Sequence, residues 1–214
     1  MPAVADEVPP APGICFDALA GDKKASALLV VDMQNDFLLP GAPVRADGGM
    51  NLVPVIAALA RDCRQLGLPV IFTQEMHRAD ESDFGIELAF EPVHCLEGSG
   101  GEDIVNGLKP EPGDFCVRNK RRYDAFLGTD LDTLLRVHKI ENLIVTGVCT
   151  DVCVISTVQH ARNLDFRCFV ASDAVAGTSR ERHEAALLCM SLVFAHVGTT
   201  SGIRDGFAIT RADR

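Results

Sequence analysis

Asn142-Leu143-Ile144-Val145-Thr146-Gly147-Val148-Cys149-Thr150-Asp151-Val152-Cys153-Val154 passes from an apolar run into a polar turn that carries two cysteines. An apolar run of this length, bounded by turn residues, reads as a strand covered on both faces. From Asp151 to Asn163 the pattern becomes helical, so the segment is a strand-to-helix unit. The cysteine spacing is not the C-x-x-C of a redox or zinc site. Both thiols stand where the strand gives way to the helix.

The same alternation extends on either side. Ala27–Val31 is a second continuous apolar run, ending at Asp32. Asn51 to Leu66 carries Val53, Ile56, Leu59, Ala60 and Cys63 at helical spacing, and Gly67 stops it. Strands are predicted at Leu68–Thr73, Asp114–Arg118, Asn142–Val148, Phe166–Ala171 and, as a last short piece, His196–Gly198. Helices are predicted from Thr129 and Asp130 to Arg136, from Asp151 to Asn163, and from Ser179 to Ala195. Gln74 to Gly113, rich in Gly, Glu, Pro and Asp, is a connection long enough to suggest a function. Residues 1–22 read as a flexible N-terminal arm and 23–214 as one domain, with Arg204 to Arg214 as a frayed tail. Alternating strands and helices imply parallel pairing with right-handed crossovers. The expected fold is a three-layer α/β/α sandwich with a mostly parallel sheet of about six strands.

Composition narrows the function classes. The chain has 214 residues, 47% hydrophobic and 23% charged, ordinary for a soluble domain with a full core. A net charge of −10 argues against nucleic acid and anionic membranes as partners. The start, MPAVADEVPPAPG, lacks the apolar core of a secretory signal, and no apolar run approaches a membrane span. Eight cysteines at irregular spacing then suggest reduced thiols and a cytoplasmic protein. No G-x-S-x-G elbow, P-loop or G-x-G-x-x-G after the first strand occurs.

In open parallel sheets, ligands bind beyond the carboxyl ends of the strands. Three reactive side chains meet that condition: Asp32 after the first strand, Lys120 after the strand Asp114–Arg118, and Cys153 in the first turn of the helix after Asn142–Val148. A helix N-terminus and a nearby ammonium lower a thiol's pKa, and a carboxylate can take its proton and return it to a leaving amine. Each residue also has a plainer reading. Asp32 suits a turn cap, Lys120 belongs to a basic cluster with Arg118, Arg121 and Arg122, and Cys153 suits a buried helix position beside Val152 and Val154.

Val31-Asp32-Met33-Gln34-Asn35-Asp36-Phe37, Lys120 through Phe126, Gly147 through Val154 and Ser172-Asp173-Ala174 together resemble the isochorismatase-like cysteine hydrolases. That family includes nicotinamidases, N-carbamoylsarcosine amidase, and biuret and ureidoacrylate amidohydrolases. The resemblance runs from about Ser26 to Gly202. It implies a catalytic triad of Asp32, Lys120 and Cys153, with Cys153 as nucleophile. It also implies a cis peptide at Val148–Cys149, and oxyanion-hole donors from the backbones of Cys149 and Cys153. The implied reaction is hydrolysis of a small linear amide or ureide through a thioester, with release of ammonia. Nicotinamide and maleamate are rival substrates. Cleavage of the isochorismate vinyl ether is disfavoured, because that branch lacks the cysteine. A non-catalytic family-like interaction module is the alternative of another class.

Glu75-Met76-His77 and Val93-His94-Cys95 fall where nicotinamidases of the family carry metal ligands, with Glu75 in place of Asp and Asp83 where some members have another histidine. The reading preferred here needs no cofactor, His77 and His94 being polar loop residues on the active-site wall. A divalent metal at Glu75, His77 and His94 is the alternative. From position alone, Phe37, Tyr123 and Phe126 are expected as pocket walls, with Gln74 or Arg122 reading a polar substrate. By resemblance, a homodimer or homotetramer is expected.

Overall fold

Continuous apolar strands demand cover on both faces, and the structure supplies it. The structure, a computed structural model, describes residues 22–207. The strands are β1 (Ser26–Val31), β2 (Val70–Glu75), β3 (Phe115–Lys120), β4 (Asn142–Val148), β5 (Arg167–Ala176) and β6 (Ala195–Gly198). The helices are α1 (Val53–Gln65), α2 (Leu131–Val137), α3 (Ile155–Asn163), α4 (Arg180–Val193) and α5 (Thr200–Phe207). All six strands pair in parallel, in the order β3-β2-β1-β4-β5-β6. The expected α/β/α sandwich is therefore present.

Side-chain alternation along each strand divides the core in two. Leu28 and Val30 of β1, Phe72 of β2, Ile144 of β4 and Phe169 of β5 pack under α1 and α5. Ala27, Leu29 and Val31, with Ile71, Leu143 and Val145, pack under α2, α3 and α4. α1 presents Ile56, Leu59, Ala60 and Cys63 to the sheet, the i, i+3, i+4, i+7 stripe of an amphipathic helix. The chain first builds outward through β1, β2 and β3, then crosses back to lay β4 beside β1. Reversing direction moves the crossover helices to the opposite face, as right-handed connections require. The carboxyl ends of β1 and β4 thus flank the topological switch point, where a crevice opens.

Two register shifts shape that end of the sheet. One lies between Thr73 and Glu75 in the β2–β3 pairing, the other between Val145 and Gly147 in the β4–β5 pairing. Bulges near sites re-aim the residues that follow. Gly147 pairs with Val31, has φ +110°, and a Cβ there would lie 2.0 Å from the Val31 carbonyl oxygen. Only glycine lets the two strand ends approach so closely.

The C-terminal tail differs from expectation. Residues up to Phe207 form α5, with Ile203 and Phe207 buried, and Arg204 donates to Asp62 on α1 at 2.9 Å. That buried ion pair, joining residues 142 positions apart, docks the helix. Residues 208–214 of the expected tail, and 1–21 of the expected N-terminal arm, lie outside the described residues. Among the described residues seven cysteines are free thiols, and no helix is long and apolar enough to cross a membrane.

Gly147→Ala is expected to lose more than about 3 kcal/mol of stability, because left-handed strain and the clash with Val31 add. A denaturant midpoint equal to that of the unmodified chain would refute this account of the β1–β4 contact.

Candidate active site

β1 ends at Asp32, which leaves the strand with φ +48°, a left-handed conformation that aspartate tolerates better than most residues. The turn is held by Gln34 N–H donating to the Asp32 carbonyl at 2.8 Å. Gln34 then bridges to β2: its Nε2 donates to the Glu75 carbonyl at 2.7 Å, and its Oε1 accepts from Glu75 N–H at 2.8 Å. Asn35 donates to Gly100 O, and the Asp36 carboxylate accepts from Cys95 N–H at 2.7 Å. The polar letters after β1 therefore fasten the 76–113 connection across the strand ends. Phe37 projects into the crevice.

β3 ends at Lys120, whose side chain is wholly buried. Its Nζ lies 2.8 Å from Asp32 Oδ2, 3.1 Å from Glu75 Oε2 and 3.5 Å from Cys153 Sγ. Ligating atoms of Asp32, Glu75 and Cys153 all lie within 4.8 Å of one another. One ammonium thus serves three acceptors, as its three N–H donors allow. Thr73 completes the shell by donating to Asp32 Oδ1 at 2.6 Å. Cys153 itself sits in a π-helical turn, Thr150–Val154, that precedes α3, and the Val148–Cys149 peptide is cis.

Charge and burial set the protonation states. Burial disfavours the Lys120 ammonium, but Asp32, Cys153 and Glu75 outweigh it and hold its pKa well above the ordinary value. Burial also pushes Glu75 up, yet Lys120 and the two histidines hold it down at about 2. Asp32 is raised, by burial first and then by Glu75, against the pull of Lys120. The Cys153 thiol is raised well above its ordinary value by burial and by Asp32 and Glu75, against Lys120. The direction is opposite to the lowered thiol pKa expected from a nearby cation, because burial disfavours the thiolate first and two carboxylates then share the ammonium. The same balance favours the protonated thiol, with an Asp32 carboxylate oxygen within 4.8 Å of the sulfur.

Cys153 and Cys149 line a narrow cavity of about 30 Å³, together with Phe37, Val44, Glu75, Glu91, Tyr123, Val152 and Thr178. Phe37 and Tyr123 are among its walls. Phe126 lies outside the lining, its ring 5.9 Å from Phe166 and 5.1 Å from His160 on the helix side. Gln74 also lies outside, donating to Glu102 O at 2.8 Å. Arg122 is turned away as well, donating to Asp83 O at 2.9 Å.

Beside Asp32, Lys120 and Cys153, the side chains of Glu75, His77, Glu87 and His94 converge, each buried, with ligating atoms within 4.8 Å of one another. His94 Nδ1 lies 2.8 Å from the Pro92 carbonyl and His77 Nδ1 lies 3.3 Å from Asp83 Oδ1. Both rings therefore turn Nε2 toward Glu87, at 3.7 and 4.0 Å. Glu75 Oε1, His77 Nε2 and both Glu87 oxygens are buried without a hydrogen-bond partner. Two imidazoles anchored through Nδ1 and two carboxylates with free buried oxygens fit a divalent cation. Glu87, within the irregular 76–113 connection, carries no spacing signal that marks it in the sequence.

The isochorismatase domain model matches residues 26–202. A protein of Arabidopsis thaliana named "Probable inactive nicotinamidase" is 34% identical over 77% of this chain and 87% of that protein. Ureidoacrylate amidohydrolase of Azorhizobium caulinodans is 30% identical over 86% of this chain and 90% of its own. The structure of pyrazinamidase of Pyrococcus horikoshii in complex with zinc superposes with a TM-score of 0.75 at 26% identity, covering 82% of this chain and 99% of that one.

Alkylation of Cys153 by iodoacetamide is expected to keep rising with pH beyond the ordinary thiol range, since a raised pKa leaves less thiolate at neutrality. The rate followed at that residue by mass spectrometry tests this. A plateau at or below neutral pH would mean that Lys120 outweighs burial and the carboxylates.

Proposed function

The chain belongs to the isochorismatase family, and on that footing we propose that it is a cysteine-dependent amidohydrolase that cleaves a small linear amide or ureide and releases ammonia. The observation that carries this reading is the single buried ammonium of Lys120 in contact with Asp32 and Cys153 beside a small cavity at the switch point. Acidic, basic and nucleophilic groups at one carbonyl are what acyl transfer requires.

The substrate's carbonyl carbon lies against Cys153 Sγ, with its oxygen toward the backbone N–H groups of Cys149 and Cys153. As the S–C bond forms, the thiol proton passes to Asp32. The two N–H donors stabilise the developing oxyanion, each by about 3 kcal/mol where geometry is good. Asp32 then protonates the leaving nitrogen, the C–N bond breaks and ammonia departs, leaving a thioester. Water attacks the thioester as Asp32 accepts its proton, and the returning proton restores the Cys153 thiol. Lys120 remains an ammonium throughout, holding Asp32 toward the sulfur and balancing negative charge as it moves between them. A cytoplasmic homo-oligomer is part of the same reading.

A metal-assisted amidase of the nicotinamidase or maleamate type is the second reading, favoured by the four converging ligands. Glu75, His77, Glu87 and His94 would hold the ion. A zinc, iron or manganese ion would supply a Lewis acid that orients the substrate's polar end. Glu75 would then touch both the ion and Lys120. A non-catalytic interaction module is disfavoured by the complete set of Asp32, Lys120 and Cys153.

Ammonia release from a panel of small amides and ureides is expected, and Cys153→Ala and Asp32→Asn should each abolish it without changing the far-UV spectrum or unfolding midpoint. Near-normal rates for Cys153→Ala would remove the assignment, and silence across the panel would favour the interaction module. Turnover is also expected to survive dialysis against chelator, with metal content followed by elemental analysis. Loss on chelation, restored by one divalent ion, would replace the leading reading with the second.

A further inference from the structure

The cavity's charge is unbalanced. Its lining includes two carboxylates, Glu75 and Glu91, and no lysine, arginine or histidine among the described residues. Glu75 is committed to Lys120 and to the histidine cluster. Glu91 has no such commitment, since its carboxylate makes no hydrogen bond or ion pair with any described residue. The nearby cations are occupied elsewhere: Lys120 by the triad, Arg121 by Asp83 at 3.2 Å, and Arg122 by Asp83 O and Glu87.

Local structure explains why Glu91 faces inward. It follows the 3-10 turn Gly85–Ala89, and its N–H donates to Glu87 O at 2.9 Å. Pro92 comes next, and its carbonyl is held by His94 Nδ1. The turn and the proline fix the backbone on both sides, and the side chain is half-buried at the pocket wall. Its field is felt across the cavity: burial first, and then the Glu91 charge, push Tyr123 up to about 12, which keeps that phenol a hydrogen-bond donor.

We propose that Glu91 is the charge filter of this pocket, admitting amides that are neutral or cationic beyond the scissile group and turning away those that carry a carboxylate. The substrate class so defined rests on the amidohydrolase reading: a small carboxamide or ureide whose far end donates hydrogen bonds, an amine, amide or ureido N–H meeting Glu91. A carboxylate entering the same space would meet like charge in a partly desolvated site, with no cation to receive it. Glu91 is not among the four residues that converge on the histidine cluster, so its carboxylate would not be spent as a ligand of an ion held there.

The test uses two reagents of nearly equal size and opposite suitability, iodoacetamide and iodoacetate, on the whole chain at one pH. Each reacts in the same way, the Cys153 thiolate forming an S–C bond as the C–I bond breaks and iodide leaves. The exposed Cys189 of the same chain is the internal reference for intrinsic reactivity and overall charge. At Cys153 the amide-to-acetate rate ratio is expected to exceed that at Cys189 by about tenfold or more, and Glu91→Gln should bring the two ratios together. Changes in the sulfur's own pKa cancel in the ratio. Equal ratios in the unmodified chain, no reaction of Cys153 with either reagent, or a ratio unmoved by a folded Glu91→Gln would each overturn the proposal. The unmodified chain carries the test even where the variant fails to fold. In parallel, butyramide and succinamate differ by one carboxylate. Ammonia from the first only, with both accepted by Glu91→Gln, is the expected outcome, and equal use of both by the unmodified chain would overturn the filter. Silence with both amides counts against the amidohydrolase reading, while the alkylation ratios still decide the role of Glu91.

Discussion

A lysine ammonium with no access to water is the constraint around which this molecule is arranged. Desolvating an ion costs several kcal/mol, and the cost is offset only when geometry with its counter-charges is good. Lys120 meets that condition with partners from three other places in the fold: the end of β1, the end of β2 and the turn after β4. None of the three can shift far without leaving a buried charge uncompensated. The same contacts that hold the sheet's rim together hold an acid and a thiol side by side.

The surrounding polar groups keep those contacts in place. Gln34 ties the turn after β1 to the backbone of Glu75, and Asp36 and Asn35 draw the 76–113 connection back over the strand ends. That connection then supplies Glu91 to the wall of the cavity, and His77, Glu87 and His94 to the cluster beside it. The strand ends position the acid, the ammonium and the thiol, and the connection walls the cavity beside them.

β1, β2 and β4 were legible because both faces of each are covered. The run Leu143–Val145 has no polar letter to confuse the pattern, and β4 falls at Asn142–Val148 as expected. Asp32, Lys120 and Cys153 were legible as a set because a parallel sheet gathers whatever follows its strands. What escaped notice lacks periodicity or depends on distant partners. Glu87 and Glu91 sit in a segment with no repeating pattern. α5 contains two glycines and is anchored by Arg204 to an aspartate 142 residues earlier, a contact that no local pattern announces. Phe126 follows the basic run closely enough to suggest the pocket, yet its ring turns to Phe166. The lowered thiol pKa expected from a nearby cation left out the burial of the sulfur and, after it, Glu75, a second carboxylate drawing on the same charge.

The placement of β4 beside β1 has a consequence for how the chain acquires its chemistry. Ser26 and Asn142, which begin the two paired strands, are 116 residues apart along the chain. Closing so long a loop is entropically costly, and contacts of this range form late, after local helices and hairpins have had time to appear. Until that pairing is complete, sulfur and acid are strangers on separate pieces of polypeptide. A nascent or partly unfolded chain therefore carries only an ordinary thiol, and the buried grouping of sulfur, ammonium and acid exists only with the finished sheet.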